Sequence, residues 1–244
     1  MSISVVSTSA PQTNGNNWVV VDLDSTPILE DDLIILWFEE PNDLAITADP
    51  TGFTPVCDEI NTSTGDDRQN DVQYMWASGG EESNSYHWVL SNSGPHVQGS
   101  IVLRGVDRST PFDVTPVHAS HHLTGLDNTT PACASIVTVT PGALIIELSF
   151  ITGGNSSDAY SSNGSATEFV NFHNQTANPL SGMSVLGTYY EKATAGAYTG
   201  STHTYVDGVS TNDYINIILA FRPAQDATPP GELVTTKYHD IAYP

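Results

Sequence analysis

Positive charge is scarce in this sequence. Six Lys and Arg face 28 Asp and Glu across 244 residues, for a formal net charge of −22. Affinity for nucleic acid comes from protein cations displacing condensed counterions, and adsorption to anionic lipid needs a basic segment. The expected partners therefore include neither nucleic acid nor a membrane. Charged residues of both signs amount to only 14%, which excludes a charged helical bundle. Long apolar runs are missing too. The longest, 33–38, has the length of a strand, and none approaches the ~18 residues of a membrane span. Residues 1–20 hold no Lys or Arg and no signal-type apolar core, so synthesis in the cytoplasm without a signal peptide is the expectation. Cysteine is reduced to Cys57 and Cys133, at a spacing that matches no zinc or redox motif. They read either as two small buried apolar residues or as a disulfide in a protein that ends outside a cell. Nucleophile elbows, zincin helices, P-loops and dinucleotide fingerprints are absent, so no cofactor and no catalysis are expected.

What the chain does have is acid spread along its length, at Asp22, Asp58, Glu82, Asp107, Asp127, Asp158, Glu168 and Asp207 among others. Such a charge serves either a partner-steering surface or life in molar salt, where the Debye length falls to about 3 Å and surface acids barely repel. Lysine occurs only at Lys192 and Lys237. That favours a whole surface tuned to salt over one acidic patch. A content of 39% hydrophobic and 9% aromatic residues is enough to bury a core and excludes disorder.

The pattern is all-β. Short β-branched and apolar runs at 18–23, 33–38, 54–60, 72–77, 86–90, 100–104, 135–140, 144–150, 167–172, 184–192, 202–206 and 214–221 alternate with Gly, Pro, Ser and Asn clusters. No window carries a helical stripe. The runs also repeat. Asp32-Leu33-Ile34-Ile35-Leu36 is matched by Ala143-Leu144-Ile145-Ile146-Glu147. Ile101-Val102-Leu103-Arg104 is matched by Leu219-Ala220-Phe221-Arg222, and His87-Trp88-Val89 is echoed by His203-Thr204-Tyr205. One half has too few strands to cover its own apolar face, so two halves are expected to share one core. The expected organisation is an N-terminal arm (1–17), one antiparallel jelly-roll-like β-sandwich (18–224) and a C-terminal linker and arm (225–244). The sandwich divides into repeat halves 18–113 and 134–224 around a crossover, 114–133. The arms, apolar yet offset by linkers, suggest strand exchange with a neighbouring copy.

The segments Asp32-Leu33-Ile34-Ile35, Arg104-Gly105-Val106-Asp107-Arg108-Ser109-Thr110-Pro111-Phe112-Asp113, Gly142-Ala143-Leu144-Ile145-Ile146 and Ala220-Phe221-Arg222-Pro223-Ala224 together resemble a family of two-repeat jelly-roll sandwiches found in tailed-phage virion proteins. The Arg-Gly-Val-Asp segment is the most specific part, and the resemblance spans roughly 18–224. With the acidity and the missing signal peptide, the chain resembles a structural protein of a haloarchaeal tailed virus. The resemblance implies a virion location, as a capsid turret, decoration, head fibre, or tail or baseplate part. Its partners would be copies of itself, other virion proteins, and the host surface glycoprotein or its glycans. It brings no catalytic residues. A lectin-like carbohydrate-binding module and a polysaccharide-cleaving enzyme are the alternatives.

Few residues stand out as chemistry. Arg104 and Arg222, two of the six bases, hold matching strand ends and are expected to make charge-assisted structural contacts. For metals, His118, His121 and His122 offer imidazoles, or else line a polar crossover loop, while Asp66, Asp67 and Asp71 offer hard oxygens at no EF-hand spacing. Tyr86 and Trp88 share a strand face that either packs the core or stacks on a glycan ring. Tyr160 and Tyr198 lie in Ser/Gly/Thr-rich segments that read as exposed tips.

Overall fold

The computed structural model describes residues 2–40, 44–61, 68–124, 134–152, 159–161, 165–174, 183–204 and 211–225. Among the described residues the chain forms strands and no helix. The first half holds β1 (Ser4–Thr8), β2 (Gln12–Asn14), β3 (Trp18–Asp22), β4 (Leu33–Glu40), β5 (Ile46–Ala48), β6 (Thr54–Asn61), β7 (Arg68–Trp76), β8 (Ser85–Leu90) and β9 (His96–Arg104). The second holds β10 (Val117–Thr124), β11 (Ser135–Thr138), β12 (Ala143–Thr152), β13 (Ala159–Ser161), β14 (Thr167–Asn174), β15 (Met183–Lys192), β16 (Gly196–Thr199), β17 (Thr202–Thr204) and β18 (Thr211–Phe221).

Two main sheets carry the fold. The first runs β1-β9-β4-β7-β6, with β2 also on β9; the second runs β10-β18-β12-β15-β14. In each half, then, the closing strand pairs with both the leading strand and the opening apolar strand. All pairings are antiparallel. The fold is an antiparallel β-sandwich in which each main sheet takes all its strands from one half; this strand order does not establish a jelly roll.

The main sheets face each other. Leu33, Ile35, Trp37, Val72, Ile101 and Leu103 of the first pack with Leu144, Ile146, Leu148, Phe150, Ile217 and Phe221 of the second in one buried cluster. Their other faces are covered as well. Ile34, Leu36, Phe38 and Val102 pack under Val19, Val21, Trp88 and Leu90 of a three-stranded sheet ordered β3-β8-β5. Ile145, Ile218 and Ala220 pack under Ile136 and Tyr198 of the β11-β16 pair. The result is four layers. This explains why β4 reads as an unbroken apolar run: every residue from Leu33 to Glu40 is buried, because a central strand covered on both faces has no solvent side.

Three expectations change against these pairings. The segment read as an N-terminal arm is an edge of its own sheet. β1 pairs with Ile101–Arg104 and β2 with His96–Gln98, both in β9. Backbone groups left open on one side of β9 capture this β-branched segment within the chain itself. The crossover at 114–133 contains a strand, since β10 lies in full register on β18, from Val117 opposite Ile218 to Thr124 opposite Thr211. The His87 and His203 echo is not structural either. β8 pairs with β3, whereas β17 pairs with β13, and the strand that plays the part of β8 in the second half is β16. The C-terminal linker and arm beyond Gln225 lie outside the described residues.

The link between halves is itself a joint. Gly105 takes φ +87° as the chain leaves β9, and a Cβ there would come within 2.7 Å of the Ser2 carbonyl oxygen. The link then runs along the end of β18. Asp107 N–H donates to Arg222 O (2.9 Å), Ala224 N–H to Gly105 O (2.8 Å), Arg222 N–H to Pro111 O (2.8 Å) and Asp113 N–H to Ala220 O (2.8 Å). Phe112 from this link meets Tyr74 edge-on (5.5 Å) and Phe221 tilted (5.3 Å), tying both main sheets to it.

Candidate functional site

Arg104 closes β9 with a fork onto Asp32. Its Nε donates to Oδ1 at 2.8 Å and its NH2 to Oδ2 at 2.7 Å, while Leu29 N–H donates to Oδ2 at 2.8 Å. Asp32 is buried; the hydrogen bonds that its carboxylate accepts push the Arg104 guanidinium pKa up. Arg222 holds the equivalent strand end, but Ala143 stands where Asp32 would be. Its carboxylate comes instead from Asp113, 3.6 Å from Nε, and its NH2 donates to the Asp113 carbonyl (3.4 Å). The Asp113 side chain also accepts from Val139 N–H (2.6 Å) and Thr140 N–H (3.2 Å).

A second pair of buried acids fastens the outer layers. In the first half the Trp88 indole N–H donates to Asp71 Oδ2 (2.6 Å), as does Gln73 Nε2 (2.6 Å). In the second half Glu147 accepts from Tyr198 O–H (3.1 Å), Ser201 N–H (2.8 and 2.9 Å to its two oxygens), Ser201 O–H (2.8 Å) and Asn216 Nδ2 (2.7 Å). Trp88 lies opposite Val19, and Tyr198 opposite Ile136. The two aromatics therefore occupy matching places, each reaching from an outer strand to a carboxylate of its main sheet. Burial, then the charge of Glu147, pushes the Tyr198 hydroxyl pKa far up, so it stays a donor.

These contacts relocate the sequence candidates. Trp88 is fully buried and Tyr198 is 5% exposed, so neither presents a face to a sugar. Tyr86 is half-buried and packs edge-on against Phe53 at 4.9 Å. The segment holding Tyr198 is strand β16 rather than an exposed tip, because its phenol has an acceptor inside. Asp71 is committed to Trp88. His118 is exposed on β10. No group of three or more metal-binding side chains assembles among the described residues. Asp66, Asp67, Cys133 and the side chains of Cys57, His121, His122 and Tyr160 lie outside the described residues.

Two surface features went unread in the sequence. On the solvent face of β3 and β8, Trp18 is 48% exposed and stacks on His87, with ring centroids 4.6 Å apart and planes at 18°. The alternation that buries Trp88 exposes His87 and, across the strand pair, its stacking partner. The other is a cleft of about 350 Å³ at the seam of the halves, lined by Ile3, Ser4 and Val5 of the first and by Leu144, Ser165, Thr167, Tyr189, Tyr190 and Glu191 of the second. It has no signal in the sequence, in which β1 reads as a separate arm.

Beneath Trp18, His96 is fully buried with Nδ1 3.0 Å from Gly94 O. Burial pushes its pKa below the ordinary 6.5, against hydrogen bonds with the Gly94 and Trp18 backbones. The unfolded chain therefore takes up this proton first as pH falls, so stability drops from about pH 6.5 downward. Thermal melts between pH 7 and 5 are expected to show that loss, and His96→Gln to flatten it. Equal slopes in the two proteins would remove His96 from the account of acid lability.

No family model, curated protein or solved structure matches the chain.

Proposed function

We propose that the chain is a non-enzymatic structural protein of a virus particle, that of a haloarchaeal tailed virus, where it serves as a turret, decoration, fibre, or tail or baseplate part. The observation that carries this reading is how the interior spends its polar groups. Asp32, Asp71, Asp113 and Glu147 are each held by an arginine, an outer-layer aromatic or backbone N–H groups. Carboxylates locked in this way brace layers and are closed to substrate; a hydrolase needs its acids facing a cleft. The outer faces support assembly. Trp18, Val137 and Val139 are 48%, 62% and 60% exposed on the two outer layers, and in molar salt the charge of −22 no longer keeps copies apart.

The test is physical association with particles. Virus particles banded on a salt gradient should contain this chain at stoichiometric abundance by peptide mass spectrometry. Recovery only in the soluble fraction of infected or uninfected cells would refute the reading.

A further inference from the structure

We propose that the seam cleft is a binding site for a neutral saccharide unit, a function beyond the structural role and independent of it. The cleft's about 350 Å³ falls within the size range of small-ligand sites, which favour junctions between packed units. Its walls have the chemistry of a sugar site. Ile3, Val5 and Leu144 give an apolar floor, and Tyr189, on the same face of its strand, gives an aromatic ring suited to the C–H face of a pyranose. Ser4, Ser165 and Thr167 give hydroxyls that both donate and accept, and Glu191 gives a carboxylate that takes hydrogen bonds from two vicinal hydroxyls.

This ring is held in advance. Tyr189 lies against Phe169 at 6.4 Å. Preorganised rings lose little freedom when a ligand arrives. Charge sets the class. Among the described residues the lining contains Glu191 and no Lys, Arg or His, and the whole chain is strongly acidic. Uronic acids, sialic acids, sulfated sugars and phosphates would each bring a negative charge to a carboxylate with no cation to offset it. Neutral hexoses meet no such penalty. Because β1 supplies one wall, the site exists only when the N-terminal strand is docked on its own sheet.

The probes are neutral hexose disaccharides (glucose-, galactose- and mannose-based) and a glucuronate-containing disaccharide. They are titrated into the full chain in molar salt by saturation-transfer NMR and calorimetry. At least one neutral disaccharide should bind saturably, and the uronate at least about tenfold more weakly. Glu191 and Thr167 are exposed, so Glu191→Gln and Thr167→Val should leave the melting temperature unchanged. Glu191→Gln should weaken neutral-sugar binding about tenfold, the loss of a charged acceptor, and narrow the gap to the uronate. Saturable binding by none of the neutral sugars would overturn the proposal. So would binding that both variants leave intact, or a uronate that binds as tightly as its neutral counterpart. None of these results bears on whether the chain is found in particles.

Discussion

Glu147→Ala is expected to lower the stability of the fold by about 3–5 kcal/mol, a fall in melting temperature on the order of 10 °C for a chain of this size. The carboxylate is 1% exposed and sits inside β12, where its oxygens collect donors from three separate pieces of chain: Tyr198 on β16, Ser201 beyond it and Asn216 on β18. Removing it takes the Glu147 acceptor from the Ser201 N–H and the Tyr198 O–H, at ~1–3 kcal/mol for each group that finds no replacement. The damage would spread through Asn216, whose Oδ1 accepts from Ala134 N–H (3.0 Å) and whose Nδ2 also donates to Ser149 Oγ (2.9 Å). Glu147→Gln keeps the shape and one accepting oxygen but points an N–H₂ among donors, so its loss should be smaller. A melting temperature for Glu147→Ala within about 2 °C of the parent would show that the outer layer is held by apolar packing alone.

Gly99 carries the second large effect. It lies opposite Trp37 in the pairing of β4 and β9, and the indole fills the space where a side chain would stand; a Cβ on Gly99 would clash with the edge of the Trp37 ring. Trp37 is fully buried and tilted against Phe150 of the facing sheet, with centroids 6.1 Å apart. Gly99→Ile should therefore cost well over the ~1–3 kcal/mol of ordinary overpacking. Trp37→Leu, which opens a cavity, should cost about 2–4 kcal/mol. The second half shows how the conflict resolves. In the matching register Leu148 faces Ile217, two medium side chains in place of one large and one absent. The double variant Trp37→Leu with Gly99→Ile copies that solution. It is expected to recover at least 2 kcal/mol relative to the sum of the single losses in denaturant melts. Additive losses would mean that the two halves do not share packing rules at this position.

Much of the scaffold was readable because burial on both faces writes a strong signal. Runs such as Leu33-Ile34-Ile35-Leu36 and Ile217-Ile218-Leu219 need no alternation when a layer covers each side, so strand type and rough position followed from composition. The outer layers wrote weaker signals. β16, Gly196–Thr199, has one buried side chain, Tyr198, among Gly, Ala and Thr. Only the third dimension distinguishes it from a flexible tip. Glu147 stands as a lone acid beside an apolar run, and nothing near it in the chain shows what satisfies it. The answer lay about fifty residues away in a strand with no apolar pattern. The seam cleft was illegible for a related reason. A β-branched segment such as Ser4-Val5-Val6-Ser7-Thr8 has the same propensity whether it joins its own sheet or a neighbour's, and the choice depends on which edge of β9 is open.

The −22 charge joins these elements to the proposed role: on that proposal the chain folds and assembles where salt screens its self-repulsion. The deciding measurement is sedimentation velocity, with circular dichroism on the same samples, across a dilution from molar to millimolar salt. A folded oligomer in molar salt that dissociates and then unfolds as salt is withdrawn is the predicted result. A folded monomer whose mass and melting temperature stay constant across the whole range would contradict both the salt adaptation and the assembly it serves.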